Sequence, residues 1–325
     1  MIDTKTLIFS IIAGLASAVM AALALTRPGL LTLLIYFTSV PIFFASFSRG
    51  SVSGIIAAVV ATISTGAAGG LVIGAIVGMT IVGPAAYAGH MAGLSKSDEQ
   101  GQVYWYPLSE ILFRLALTLA ASYIILGLWF GYDTKLIADQ FELFMKQAFT
   151  MQSPSGTLDE ELLRSNAMLY ASLLPLLVPA FSLAILVWNM GLAERLVRRR
   201  TGMNRPKDNI AADSGLPRSA LIIFAASLVA AIAIPSMQSI ALVIAGTLGM
   251  AIAMIGLAVM HYYTWGLKAR SQILFFAYVM LIAISLPIFL FLIVGLVELL
   301  FLLRARDPDR MPPNLNNSNN NTTHH

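Results

Sequence analysis

Glu110 and Arg114 stand one helical turn apart inside an apolar run, and their types and spacing could do chemistry. An acid four residues before a base is the favourable order for a pair on one helix face. Charges inside a membrane are costly and face a bundle interior or a wet cavity, where such a pair can bind a polar solute or pass a proton. The same two residues also make sense as a self-neutralising pair near the interface. Glu298, inside the last apolar run and six residues before Arg304, is the third candidate. It reads equally well as an acid near a helix end. His90 and His261 fall at the ends of apolar runs, where a histidine is ordinarily satisfied by its surroundings. Asn189, beside Trp188, is expected to hydrogen-bond between helices. Glu110, Arg114 and Glu298 are therefore the candidate ligand or polar-core residues.

Other chemistries lack their residues. There is no P-loop, so no intrinsic nucleotide motor. HExxH and GxSxG are absent, and no aspartate lies within a confident span. The chain has no cysteine, which removes disulfides, thiolate nucleophiles and Cys-ligated metal. Its four histidines include two at the extreme end, too few for a His-rich metal site. The expectation is no catalytic residue, no metal, no cofactor and no enzymatic activity.

The elements that must position these charges follow from composition. Of 325 residues, 58% are hydrophobic and 11% charged, where a soluble domain carries about 25% charged residues. Apolar runs of spanning length recur along the chain, so it is a polytopic membrane protein in a lipid bilayer. A β-barrel would instead alternate over segments of about 10 residues. The fold class is all-α: a transmembrane helical bundle of eight or nine helices forming one domain over residues 1–303, then a disordered polar, asparagine-rich tail over 304–325.

Sidedness comes from one stretch. Arg195, Arg198, Arg199, Arg200, Arg205 and Lys207 crowd a short loop, 194–217, between two apolar runs. Clustered Lys and Arg resist translocation, so this loop is cytoplasmic, and it can also meet anionic headgroups or an acidic partner. The formal charge of +4 comes largely from this loop and gives no reason to expect nucleic acid. Counting back places the N-terminus inside. It places the amphipathic segment 133–165 outside, where Asp133, Asp139, Glu142, Asp159, Glu160 and Glu161 outnumber Lys135, Lys146 and Arg164. Thr157 with Glu160 resembles a capping box for the next helix.

Helix 1 covers about Leu7–Leu25, too long for a signal h-region and read as uncleaved. It carries Ala13, Ser17 and Ala21 on one line and Gly14, Ala18 and Ala22 on the next. Helix 2, about Leu30–Phe47, is kinked or broken near Pro41, and helix 3 runs from about Val52 to Thr65. Gly66, Gly70, Gly74 and Gly78 recur every four residues, the last three within helix 4, so a second helix should lie against them. Gly83-Pro84 predicts a kink. Leu94–Tyr106 is a polar loop, helix 5 spans about Pro107–Phe130, and helix 6 spans Asn166–Leu192, kinked or broken by Pro175 and Pro179. Helices 7 and 8 form a hairpin turned at Pro235-Ser236. The run Ile273–Leu303 is long for one span and short for two; one span puts Arg304, Arg306 and Arg310 outside, whereas a break at Pro287 returns them inside.

Several of these segments resemble the YybS-like family of bacterial membrane proteins. They are Pro41 followed by Arg49-Gly50 and the helix 3–4 pair, then Gly256-Leu257-Ala258-Val259 with His261, Arg270, Gly295-Leu296, Glu298 and Arg304. The resemblance covers most of the chain. Leu300 and Leu302 stand where the family often has a tryptophan and a second acid. The N-terminal half is also similar to the S components of energy-coupling-factor transporters, which meet a membrane partner through small residues of helix 1. The resemblance implies a fold and no reaction.

The expected role is a non-enzymatic protein of the bacterial inner membrane that binds or helps to move a small solute without its own energy source. The alternative is a membrane scaffold that organises partner proteins through its small-residue helix faces. A solute binder should have a cavity reaching Glu110 or Arg114; a scaffold should be packed there.

Overall fold

A bilayer offers the backbone no water, so apolar runs must pair their own N–H and C=O groups, and helices result. The computed structural model describes residues 3–26, 29–152, 159–200, 202–203, 205–284 and 287–306. Its helices are α1 (Thr4–Thr26), a 3-10 segment (Leu30–Phe37), α2 (Val40–Arg49), α3 (Ser51–Gly69) and α4 (Leu71–Val77). A π-turn (Gly78–Val82) leads into α5 (Gly83–Ala92), followed by α6 (Leu108–Phe130), α7 (Thr134–Gln152), α8 (Glu160–Arg200) and α9 (Ile210–Asp213). The chain closes with α10 (Arg218–Ala233), α11 (Gln238–Tyr263), α12 (Arg270–Ile284), α13 (Pro287–Phe301) and a last 3-10 turn (Leu303–Arg306). Among the described residues, 7 helical stretches are long and apolar enough to cross a membrane, and α10, α12 and α13 are shorter apolar helices. The protein is an all-α membrane bundle.

Prolines set the irregularities. Pro41 lacks an N–H and excludes the carbonyl four residues back, so helix 2 is interrupted at Thr38-Ser39, between the 3-10 segment and α2. Pro84 acts on the carbonyl of Thr80 in the same way. The Gly83 N–H bonds the Gly78 carbonyl instead, and the expected kink takes the form of a π-turn. Of the kink or break expected in helix 6, the break does not occur: α8 runs continuously through Pro175 and Pro179. Pro175 cannot donate to the Ala171 carbonyl, and the Tyr132 hydroxyl does so. With 41 residues, α8 is about 60 Å long, twice what the hydrocarbon core requires. Its first turns extend past the bundle and pack on α7 through Ala138, Ala167 and Ala171.

Two further expectations are corrected. Leu94–Tyr106 is not a plain loop but contains a two-stranded antiparallel ribbon, β1 (Ser95–Ser97) with β2 (Val103–Trp105). The Asp98 carboxylate turns it by accepting from the N–H groups of Gln100 and Gln102, with Gly101 at φ 82°. The last apolar run is two helices, α12 and α13, and Arg304 to Arg306 form an ordered turn rather than the start of a tail. Residues 307–325, with Arg310, lie outside the described residues, as does Thr157 of the expected capping box.

Small residues let the helices meet, as expected on α1. Ala13, Gly14, Ser17 and Ala18 are buried within this chain. A Cβ added to Gly14 would lie 2.5 Å from the Ala57 carbonyl oxygen of α3. The Ser17 hydroxyl donates to the Thr38 carbonyl at the helix 2 break, and the Ser10 and Ser53 hydroxyls pair at 2.7 Å. The α1 face offered to a membrane partner is therefore already occupied by α3 and helix 2. In the glycine stripe, a Cβ on Gly74 would lie 2.6 Å from the Gly66 Cα, and one on Gly78 2.8 Å from Thr62 of α3. Gly70 departs from this pattern: it is the turn between α3 and α4, at φ 95°, with open space beside it.

The centre of the bundle is α11, which packs against α6, α8, α10 and α13. The tightest approaches to it use Gly246, which the sequence reading passed over, and Gly256 and Gly295 of the resemblance motifs. A Cβ on Gly246 would lie 2.1 Å from the Leu176 carbonyl oxygen, one on Gly256 1.9 Å from that of Phe291, and one on Gly295 2.0 Å from that of Ile252.

Candidate functional site

The charged candidates gather at the end of the bundle that carries the arginine loop, here termed the basic end. Glu298 and Arg304 leave α13 on either side of Leu302, which takes a positive φ of 50° and turns the chain back on itself. The Arg304 Nε donates to Glu298 Oε1 at 2.9 Å, and the Arg304 backbone N–H donates to Oε2 at 3.3 Å. Its terminal nitrogens donate to the Ala211 carbonyl at 2.7 Å and the Ser214 carbonyl at 2.5 Å. Both side chains are buried, at 8% and 5% exposure. Glu298, within one turn of the end of α13, is thus a buried and paired acid. Arg304 also lies on the same side as the arginine loop, as a break at Pro287 requires.

Arg205 repeats the arrangement. Although it belongs to the basic loop, it is only 5% exposed. Its guanidinium forms a two-pronged pair with Asp208, at 2.7 and 3.1 Å, and donates to the carbonyls of Ala92 and Tyr106. A buried arginine is tolerated when its planar fork of donors is matched by acceptors. Here those acceptors are the carbonyls at the end of α5 and before α6. Arg198 is tied to Glu194 at 2.7 Å and to the Pro206 carbonyl at 2.9 Å. Arg195, Arg199, Arg200 and Lys207 remain exposed. Beside Arg304, burial pushes the Asp213 carboxyl up, against the counter-pull of a backbone hydrogen bond and of Arg304 itself.

Glu110 and Arg114 pair at 3.4 Å, the long end of a hydrogen bond, with Arg114 half exposed and Glu110 33% exposed. The expected pair exists, but it is not enclosed by the bundle. Arg114 lies over the Tyr106 ring at 5.8 Å and close to the Tyr87 hydroxyl. Tyr106 therefore joins the two groups of charges: its ring faces Arg114 and its carbonyl holds Arg205. Ser214, which holds Arg304, precedes Gly215, and Gly215 approaches Ser109 of α6 at the same end.

Deeper polar groups sit where helices are irregular. Asn189 on α8, 1% exposed, donates to the Tyr36 carbonyl at 2.6 Å and to the Ser39 hydroxyl at 2.7 Å. It bridges to the break in helix 2, and its Oδ1 has no partner among the described residues. The Tyr123 and Ser182 hydroxyls pair at 2.7 Å between α6 and α8. His261 contacts the Tyr278 hydroxyl of α12 at 2.8 Å. His90 Nδ1 is buried with no partner among the described residues. Among the described residues no group of His, Asp and Glu could hold a metal ion.

Open grooves mark the surface. One of about 410 Å³ lies between α3 and α5 and is lined by Ile55, Val59, Ile63, Ala86, Tyr87 and His90 among others. A second, about 250 Å³, lies beside Asn189 and is bounded by Tyr36, Phe37 and Trp188. The third flanks the β-ribbon. None of the three is lined by Glu110 or Arg114.

Sequence reasoning named Arg205 as a basic-loop residue but not as a buried anchor, and it missed Asp208, Ala211 and Ser214. The one local signal was the acid three residues after Arg205. A family model described as a predicted membrane protein (DUF2232) matches residues 15–299. No curated protein and no solved structure matches.

Proposed function

The chain belongs to the DUF2232 family of predicted membrane proteins, and from that premise we propose that it is a non-enzymatic scaffold of the bacterial cytoplasmic membrane, with its N-terminus and basic end in the cytoplasm. One observation carries this reading: the buried arginines of the basic end, Arg205 and Arg304, spend their donors on this chain's own carbonyls and acids. That end is a stitched platform rather than the mouth of a solute path. Its outward cations, Arg195, Arg199, Arg200 and Lys207, are left to meet an acidic partner protein. Proximity labelling from the loop tests this in cells. Changing Arg195, Arg199 and Arg200 to Gln should remove a reproducible set of neighbours, and an unchanged set would overturn the scaffold.

A second reading, binding or movement of a small solute, is favoured by the interrupted helix 2. Broken helices free backbone groups at membrane depth, and transporters bind solutes there. Asn189 brings an unpaired oxygen to that break. Uptake by the reconstituted protein that is lost in Asn189→Leu would support it over the scaffold.

A further inference from the structure

The groove between α3 and α5 has a shape and a polarity of its own. Its floor is made of Ala58, Gly83 and Ala86, too small to fill it. Its open side carries Ile55, Val59 and Ile63, which are 47%, 51% and 65% exposed on the bundle surface. From Ile55 to Ile63 it extends about 12 Å, two helical turns. One end is apolar but for Thr62, whose hydroxyl is spent on the Ala58 carbonyl at 2.9 Å. The other, near the start of α3 and the end of α5, carries Tyr87 and His90.

Charge is supplied from the neighbouring helix. Arg114 of α6 lies close to the Tyr87 hydroxyl. Glu110 meets its Nε at 3.4 Å and the Tyr87 hydroxyl is a second partner, so a guanidinium with five N–H donors still has donors for a further acceptor. An apolar slot two turns long, with Tyr87 at its basic end and the half-exposed Arg114 just beyond that tyrosine, matches one amphipathic shape.

We propose that this groove holds one acyl chain of an anionic glycerophospholipid from the leaflet at the basic end, with its phosphate met by Arg114 just beyond Tyr87. The chain replaces disordered lipid contacts with packing against the small-residue floor. The phosphate receives charge-assisted hydrogen bonds from a guanidinium suited to them. This would also explain why Arg114 is kept half exposed with only a long contact to Glu110. The proposal is independent of the scaffold reading, since it concerns α3, α5 and α6 rather than the arginine loop.

Native mass spectrometry of the full chain in detergent, with added dioleoyl phosphatidylglycerol or dioleoylglycerol, tests it. The two probes share their acyl chains and differ in the phosphate headgroup. Phosphatidylglycerol should be retained more strongly by about tenfold, the worth of one charge-assisted hydrogen bond. Arg114→Gln should bring it down to the level of dioleoylglycerol. Val59→Trp, placed at an exposed position so that the fold is spared, should block the groove and abolish retention of both. Ile63→Trp repeats the block from the apolar end, and Leu128→Trp, exposed on another part of α6, should change nothing. Equal retention of the two lipids by the unaltered chain, or phosphatidylglycerol retention that survives both tryptophans, would overturn the proposal.

Discussion

Arg304 and Glu298, six residues apart and separated by a turn through Leu302, form an ion pair of 2.9 Å with both side chains buried. The pair fixes the end of α13 to the loop after α9, through Ala211 and Ser214. Removing one partner leaves the other charge without compensation, which costs about 3–5 kcal/mol. Arg304→Gln and Glu298→Gln should each lower the melting temperature in detergent sharply, and the double change should recover part of the loss. Arg304→Lys should fall between, since an ammonium keeps the charge but loses the planar fork.

The glycine stripe separates two physical roles. Gly74 faces the backbone of Gly66, and Gly74→Leu should destabilise by about 1–3 kcal/mol through overpacking. Gly70 has open space but a φ of 95°, so Gly70→Ala should cost about 1 kcal/mol through backbone strain. The decisive comparison is Gly70→Leu with Gly70→Ala. If strain is the cause, the two melt alike; if packing is, leucine is far worse.

Glu110 and Arg114 present the opposite case to the buried pair. At 3.4 Å and substantially exposed, they should couple weakly. Glu110→Gln, Arg114→Gln and the double change should be close to additive in thermal melts. A strong recovery in the double variant would mean the pair is enclosed in the membrane after all.

Sidedness is testable in this cysteine-free chain. A cysteine at Gly202 and one at Arg306 should behave alike, both protected from an impermeant reagent in intact cells. A cysteine at Lys135, at the start of α7, should be labelled. Labelling at Gly202 would invert the orientation, and a different outcome at Arg306 would break the link between α13 and the loop.

At the other end, Arg164 of α8 clamps Asp139 and Glu142 of α7, and Lys146 pairs with Glu142 at 3.0 Å. Hydrogen bonds from Lys146 and Arg164 hold the Glu142 carboxyl below its ordinary value of 4.5. The folded-state value is depressed, so this contribution is present above the unfolded value and is lost as pH falls through the folded one. Hydrogen exchange of α7 should therefore accelerate once pH drops below the ordinary carboxylate range. In Arg164→Gln, α7 should loosen nearer to that range, and an unchanged profile would show that the clamp does not hold α7.

Local composition and covalent constraint settled much of this protein before any folding. The apolar runs determined the membrane class, because a chain in lipid must satisfy its own backbone. Pro41, Pro84 and Pro287 set irregularities near where they stand, because a missing N–H acts within one turn. Even so, Pro175 shows that a proline marks a freed carbonyl and not a break: Ala171 found the Tyr132 hydroxyl, 39 residues away. The fate of each charge was decided in three dimensions. Arg205 and Lys207 share one loop and one composition, yet Arg205 is buried and Lys207 exposed, because the carbonyls of Ala92 and Tyr106 meet only Arg205, from 113 and 99 residues away. Gly70 and Gly74 are likewise indistinguishable in the repeat, and only the packing of α4 on α3 makes one a turn and the other a contact. A sequence shows that a charge or a glycine is present, while the long-range neighbours that make it a lock, a hinge or a binding group exist only once the helices have come together.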